Sequence, residues 1–429
     1  MEHVDVAIVG AGLAGLSCAY TLAKAGVDVL VVERGDYPGS KNVTGGRLYV
    51  NPVRQYMTEI WDEAPFERHV TKERLTMLSD ESSITVELRS NNFANKPCQS
   101  YTLIRPVFDR WLAEKATGVG AVIVPAYKVE GLLLEGGKVA GIKAEGDEIG
   151  ASVVVAADGA LSFITEQAGL RSRHDPHHYA VAVKETIELP RKTIEDRFNL
   201  HGDEGCAQLY FGSLTKGLTG GGFLYTNRDS ISVGIAVGIG ALMDRAEHLE
   251  SAQLMESFKQ LPEISSIIEG GETVEYSAHA IPEGGIGSAP KLYSNGILVV
   301  GDAAGFALNM GLTVRGMDLA IASGVLAAEA IELAKKNGDF SARSLAAYET
   351  FLNRSFVMND LQTFRKVWNV LDNPRLFTKY PAAVISLMTD LMSIGSEPKP
   401  KLSSTAIKHF RKDFLNFSTL RDAMSLMKI

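Results

Sequence analysis

The sequence predicts an α/β nucleotide-binding domain interleaved with an α+β antiparallel-sheet domain, followed by a helical C-terminal region. Three observations predict it: GAGLAG at Gly10–Gly15 between an apolar strand and a small-residue helix, glycine-punctuated strand patterning from about Ala180 to Glu275, and helical patterning from residue 338 onward. The chain has 429 residues, against roughly 100–200 for one domain, so two or three interlocked domains are expected. At 45% hydrophobic and 22% charged residues it can bury a core, which excludes a disordered chain. Lys and Arg number 43 and Asp and Glu 51, a formal charge of −8. That mild acidity argues against nucleic acid as a partner. Cys18, Cys98 and Cys206 stand far apart, which excludes a disulfide framework and a four-thiolate cluster within the chain; a reducing cytoplasm fits best.

Val4–Val9 reads as a buried parallel strand, Leu13–Ala25 as a helix closed by Gly26, and Val29–Val32 as the second strand of a βαβ unit. Val6–Ala23 is an 18-residue run without charge, near the ~20 residues that a membrane-spanning helix needs. Gly10, Gly12 and Gly15 split it and no Lys or Arg cluster precedes it, so neither a spanning helix nor a targeting peptide is expected. Residues 50–100 look irregular and polar; Val107–Ala116 then reads as helix and Ala151–Ala157 as strand. From Ala180, short strands alternate with glycine-rich turns, and Ser230–Met243 carries the β-branched alternation of a sheet strand. Ile297–Val300 returns to a buried strand before a long helix reaching about Lys336, and the helical tail breaks at Ser396–Pro400. The resulting division is 1–50, 100–170 and 275–337 for the nucleotide-binding domain, 51–99 and 171–274 for the antiparallel-sheet domain, and 338–429 for the helical region.

The strongest chemical signal is GAGLAG. Gly10 permits a tight turn, Gly12 lets backbone approach a pyrophosphate, and Gly15 lets the helix pack on the sheet. Leu13 and Ala14 open that helix, whose free N–H groups aim at the anion. Glu33, with Arg34 after it, ends the second strand; its carboxylate can accept a ribose hydroxyl and would repel a 2′-phosphate, favouring FAD or NAD over NADP. Two later strands end in glycine–aspartate pairs, VVVAADGALS at Asp158-Gly159 and GILVVGDAAG at Gly301-Asp302.

At these residues the chain resembles the FAD-dependent family with the glutathione-reductase type of Rossmann fold, in its aromatic hydroxylase and geranylgeranyl reductase branch. The resemblance implies FAD, with Asp302 on its ribitol and the backbone of Gly311, Leu312 and Thr313 at the pyrimidine end, where a helix N-terminus is expected to stabilise the negative charge of reduced flavin. It also implies Arg105 near the flavin linker, with a solvent ion pair as the alternative, and Val129 beside the adenine. KNVTGGRLY at Lys41–Tyr49 looks like the loop over the isoalloxazine, Gly45 and Gly46 allowing close approach.

TGGGFLYTN at Thr219–Asn227 and VEYSAHAIPEGG at Val274–Gly285 are similar to electron-transfer flavoprotein:quinone oxidoreductases, specifically the short FixC-type relatives, and the helical tail is FixC-like too. This implies that Gly220 and Gly221 lie on a quinone pocket. A glycine turn beside Phe223 would let a flat ring approach and stack. The longer enzymes carry a four-cysteine ferredoxin domain, whereas no cysteine follows Cys206 here. The FixC relatives use a separate ferredoxin-like iron–sulfur subunit, and the alpha and beta subunits of an electron-transfer flavoprotein complete their complex. The resemblance thus implies an FAD subunit relaying electrons from that flavoprotein to quinone, within an NADH-oxidising, electron-bifurcating assembly.

Quinone chemistry implies access to lipid, so a cytoplasmic protein peripheral to the inner face of the membrane is expected. Residues 399–429 hold seven Lys or Arg against two Asp, a local charge of +5, suited to a partner or an anionic surface. Val384, Leu387, Met388 and Leu391 have helical spacing and read as a core-packed face. His174, His177 and His178 lack metal-ligand spacing, so a surface loop and no metal are expected. No nucleophile elbow or proton-transfer dyad is visible, which leaves the chemistry to the flavin and no catalytic side chain. A stand-alone NAD(P)H-dependent flavin hydroxylase or geranylgeranyl-type reductase would share these motifs, although no second glycine-rich dinucleotide unit is visible. A non-enzymatic chain using FAD as a structural core is the other alternative.

Overall fold

The computed structural model describes residues 2–41, 46–245 and 248–427. The apolar opening forms the strand Glu2–Val9, which lies between Val29–Val32 and Asp147–Ala156, all parallel. Val122–Val124 and Ile297–Val299 extend the parallel run on either side. The run is buried on both faces, with Val6, Ile8, Val31 and Val154 fully inaccessible, as crossover helices require. Leu13–Lys24 supplies one crossover, a little shorter than expected, and Gly26 follows at φ +77°. The uncharged run Val6–Ala23 is therefore part strand and part helix, and no helix among the described residues is long and apolar enough to cross a membrane.

The second sheet has nine strands among the described residues. Glu272–Pro282, Tyr179–Glu188, Ser230–Gly238, Gly220–Thr226 and Glu204–Gly212 run antiparallel in that spatial order. They are 11, 10, 9, 7 and 9 residues long, longer than the short strands expected, and one pair, Glu204–Gly212 with His69–Leu78, is parallel. A second core, with Ile235, Val237, Leu254 and Phe258 inside it, joins this sheet to the helices Arg191–Phe198, Ser251–Lys259 and Pro262–Ile268.

Several boundaries differ from the sequence reading. Residues 50–100 are not irregular, because they hold the ten-residue strand His69–Leu78 and its partner Ser83–Arg89. The polar run that hid the strand is buried by distant partners: Lys72 Nζ donates to the carbonyls of Phe198 and Asn199 at 2.8 and 3.1 Å. Arg47–Tyr49, Ser100–Thr102 and Glu272–Pro282 also join the second sheet rather than the first. Ser230–Met243 is a strand only to Gly238 and then turns into the helix Ile239–Met243.

After Ile297–Val299 the long helix does not start at once. A short 3-10 turn, Gly301–Ala304, and a hairpin of Leu308–Asn309 with Val314–Arg315 come first, and the helix is Met317–Asn337. Gly311–Thr313 therefore forms a hairpin tip and not a helix N-terminus. Asn309 Oδ1 accepts the Gly311 N–H at 2.9 Å and Gly311 sits at φ +80°, a side-chain-stabilised turn that pre-empts the helix. Beyond it the tail is helical, with a break over residues 393–401 between Lys379–Met392 and Leu402–His409. Val384, Leu387, Met388 and Leu391 are all half-buried.

Candidate functional site

One cavity of about 940 Å³ runs between the two sheets and out toward the tail helices, large even for ligand clefts of roughly 300–1,000 Å³. Its nucleotide end is built by the first βαβ unit. Gly10, at φ +107°, lies against the Ala157 carbonyl, and Gly15 lies against the Gly10 carbonyl, so a Cβ at either would overlap backbone. Among the described residues, a Cβ at Gly12 would meet nothing within 4 Å and the helix it caps receives no side-chain cap. The first N–H groups of that helix, at Leu13 and Ala14 on the cavity wall, face the space that Gly12 leaves.

Glu33 is locked in place by that turn. Its Oε2 accepts the Ala11 N–H at 2.8 Å and its Oε1 the Gly35 N–H at 2.7 Å, leaving each oxygen further acceptor capacity. Arg34 is exposed beside it on the wall, and its charge opposes the burial that raises the Asp158 pKa. Asp158 accepts from Ser162 Oγ at 2.5 Å and from the Ile164 N–H at 3.3 Å. Gly159, at φ +86°, and buried Val129 share the same wall.

Arg105 is no solvent ion pair. Nε and Nη2 donate to both oxygens of buried Asp109 at 2.8 Å each, the fork geometry that makes such pairs strong. Arg105 reaches Asp302 electrostatically: burial raises the Asp302 carboxyl and the Arg105 charge opposes it. The Gly301 N–H donates to Ser323 Oγ at 3.0 Å, which ties this turn to the long helix. Gly311 and Leu312 line the cavity whereas Thr313 does not; its hydroxyl is nevertheless buried with no partner among the described residues.

The other end is aromatic and apolar. Gly220, Gly221 and Phe223 line the cavity, but on the strand Gly220–Thr226 and not in a turn. Glycine is needed there for the sheet itself, since a Cβ at Gly221 would sit 2.6 Å from the Tyr210 carbonyl and one at Gly220 would overlap that of Ala236. The Phe223 ring stacks on Tyr225 with centroids 5.4 Å apart and lies over Gly234. A Cβ at Gly46 would come within 2.5 Å of the Tyr225 ring; Gly45 lies outside the described residues. Trp368, Phe377, Tyr380 and Leu426 carry the wall into the tail helices.

The sequence reading overlooked several wall residues. Arg47 pairs with Glu73 (Nη1 to Oε2 2.9 Å) and covers Tyr49 at 4.3 Å. His279 is held below its ordinary pKa by burial and by Arg105 and Arg34. Glu283 is pushed by burial up to about 7, with a hydrogen bond from Asn309 opposing. Both lie within the quoted VEYSAHAIPEGG segment, yet nothing in a sequence marks which side of an edge strand meets a cavity. His177, by contrast, is exposed between Asp175 and Asp244, 3.0 Å from each.

The open turn at Gly12, the anchored Glu33 and the half-buried acids along one channel suit a long dinucleotide, and FAD fits the residues present. Fold and site together define a flavin-dependent oxidoreductase. The FAD binding domain family matches residues 3–193, and the ETF-QO/FixC family C-terminal domain matches residues 369–429. A probable electron transfer flavoprotein-quinone oxidoreductase, YdiS of Escherichia coli K12, is 46% identical over 411 residues, covering 96% of this chain and 95% of that one. Protein FixC of Salmonella typhi is 43% identical over 414 residues, covering 96% of each. The chain belongs to the electron transfer flavoprotein-quinone oxidoreductase/FixC family and is an FAD-dependent electron-transfer oxidoreductase. A geranylgeranyl bacteriochlorophyll reductase-like protein from Thermoplasma acidophilum shares the fold, with a TM-score of 0.74 at 22% identity over 99% of this chain and 100% of that one. The myxobacterial chondrochloren halogenase CndH shares it with a TM-score of 0.66 at 19% identity over 100% and 98%.

Proposed function

We propose that this chain takes electrons from an electron-transfer flavoprotein of alpha and beta subunits onto its FAD and, together with a ferredoxin-like iron–sulfur subunit, delivers them to quinone. The assembly would be NADH-oxidising and electron-bifurcating. In this reading FAD lies along the fingerprint residues from Gly10 to Arg34, with Arg105, Val129, Asp158, Gly159, Gly301 and Asp302 beside it and Gly46 and Gly311–Thr313 around its ring. FAD supplies the electron storage; the side chains bind and orient it and exclude water. The quinone ring would rest by Gly220, Gly221 and Phe223.

The observation that carries the reading is the course of the cavity. It continues from the nucleotide turn to Tyr380, Val384 and Leu426 of the tail helices, whose outer surface exposes Ile407, Phe410, Phe417, Leu420 and Met424 by half or more. Lys408, Arg411, Lys412 and Arg421 are interspersed among them. Exposed apolar side chains interspersed with basic ones, on the tail region that the cavity reaches, suit a lipid-soluble substrate entering from an anionic membrane, and so a peripheral position at the inner face.

Anaerobic stopped-flow absorbance of the FAD-loaded chain tests it. Bleaching by reduced electron-transfer flavoprotein, with recovery on adding a quinone analogue, is the expected result. Rapid bleaching by NADH or NADPH alone would replace the relay with a self-contained hydroxylase or reductase.

A further inference from the structure

The cavity wall carries an acid that neither the fingerprints nor the electron route uses. Glu283 directly follows the edge strand Glu272–Pro282 and lines the cavity. Its backbone N–H donates to the His178 carbonyl at 2.8 Å, which pins the residue to the turn Pro176–His178. Its Oε1 accepts from Asn309 Nδ2 at 3.4 Å, and Asn309 Oδ1 accepts the Gly311 N–H at 2.9 Å. The two contacts agree on one orientation of the amide. A carboxyl group is thereby linked, through a single side chain, to the hairpin tip proposed above for the pyrimidine end of FAD.

We propose that Glu283 is the proton-exchanging group of the flavin cavity, binding a proton from solvent when electrons arrive and returning it when they leave. Two electrons and one proton entering a bound flavin, the electrons from a reduced flavoprotein donor, would leave one unit of negative charge in the cavity. Uncompensated charge is costly where water is excluded, and a carboxylate nearby would raise that cost. A second proton, on Glu283, cancels the charge, and both protons go back to solvent on reoxidation.

The surroundings leave Glu283 free to play this part. Its backbone meets the turn at the His178 carbonyl, and His279, Asp302 and Arg105 share the cavity wall with it. Arg315, beyond Asn309 on the hairpin, is engaged by Asp318 at 2.5 Å and Asp360 at 2.6 Å. None of these charges moves Glu283; burial alone raises it, to about 7, against the Asn309 hydrogen bond. The group thus changes protonation in the physiological range, and added negative charge drives it toward the protonated form.

The proposal rests on the proposed placement of the flavin ring, and spectroelectrochemical titration of the FAD-loaded protein separates the two. Above pH 7 the wild type should take up one proton more per two electrons than Glu283→Gln, a tenfold difference in equilibrium per pH unit, or about 30 mV. If Asn309→Ala shifts the midpoint potential while Glu283→Gln keeps the wild-type pH slope, the placement stands and the proton-exchange role falls. If neither variant changes anything, both fall. Reduced-minus-oxidised infrared spectra of the wild type at pH 8 give a readout independent of any variant. A protonated-carboxyl band appearing on reduction supports the proposal, and its absence overturns it.

Discussion

Gly324 in the long helix lies against the carbonyl oxygen of Ala14 in the first helix, so closely that a Cβ at Gly324 would overlap it. A Cβ at Gly301 would come within 2.8 Å of the Cβ of the same alanine. The glycine-rich turn and helix start at Gly10–Gly15 are thus braced from behind by glycines about three hundred residues away in sequence.

Gly324→Ala should therefore destabilise the protein by about 1–3 kcal/mol, the usual cost of overpacking, and weaken FAD retention. Gly118→Ala, at a helix end where a Cβ would meet nothing within 4 Å among the described residues, is the control and should be neutral or mildly stabilising. Thermal unfolding of both variants with and without FAD decides the matter; equal melting temperatures would show that the helix contact yields easily.

Glu33→Ala removes the acceptor for two backbone amides, those of Ala11 and Gly35. Buried amides left without partners cost roughly 1–3 kcal/mol each. FAD affinity should fall at least about tenfold, measured by the fluorescence of released flavin. Undiminished affinity would mean that the turn keeps its shape without the carboxylate.

Glu283 also makes a stability prediction for the FAD-free protein. Its folded pKa, about 7, lies above its unfolded value, so the folded state binds more protons in between. Stability is fully present below the ordinary glutamate range, declines as pH rises toward 7, and is lost above it. The loss should be at most about 3 kcal/mol and absent in Glu283→Gln. Denaturant titrations at pH 5 and 8 compare the two chains, and parallel pH dependence would contradict the prediction.

The basic tail predicts salt-sensitive lipid binding. Reversing Lys408, Arg411 and Lys412 to Glu should lower partitioning to anionic vesicles by more than about a hundredfold, at about 1 kcal/mol per basic residue near the surface. Cosedimentation at low and high salt reads this directly. Binding that ignores both the charges and the salt would leave only the apolar side chains, or a protein partner, as the docking element.

Arg375 fastens that tail to the body. Its Nε and Nη2 donate to Asp422 at 2.6 and 2.5 Å, and the Asp422 side chain is only 8% exposed. Arg375→Met should leave the nearly buried Asp422 carboxylate held by the Tyr380 hydroxyl without its arginine and loosen the last helix, at a cost of roughly 1–3 kcal/mol. Faster proteolysis between residues 393 and 401 would reveal it, whereas an unchanged digestion pattern would show that apolar packing holds the helix.

The parts of this protein legible in the sequence are those whose geometry is local. GAGLAG specifies a strand, a turn and a helix because the positive φ of Gly10 and the open face of Gly12 are properties of adjacent residues. Val153–Asp158 and Ile297–Asp302 likewise write a buried strand and its terminal acid within a few positions. The elements misread were those whose burial is set from afar. His69–Leu78 looks polar, yet it is a strand because distant carbonyls at Phe198 and Asn199 accept from the buried Lys72 and Glu87 lies 3.5 Å from it, and Gly311 reads as a helix start because the Asn309 side-chain hydrogen bond that stops it has no strong pattern.

By itself the sequence determined the dinucleotide fold, the cofactor and the family, since short-range backbone conformation and chemistry-bearing motifs travel together along the chain. Only the tertiary structure decided which faces meet. It set Glu283 and His279 in the cavity, made Gly220 and Gly221 strand residues rather than a turn, and carried the cavity wall to Leu426. The physical reason is that desolvation depends on what packs across a space, and the partners that close this one come from every part of the chain.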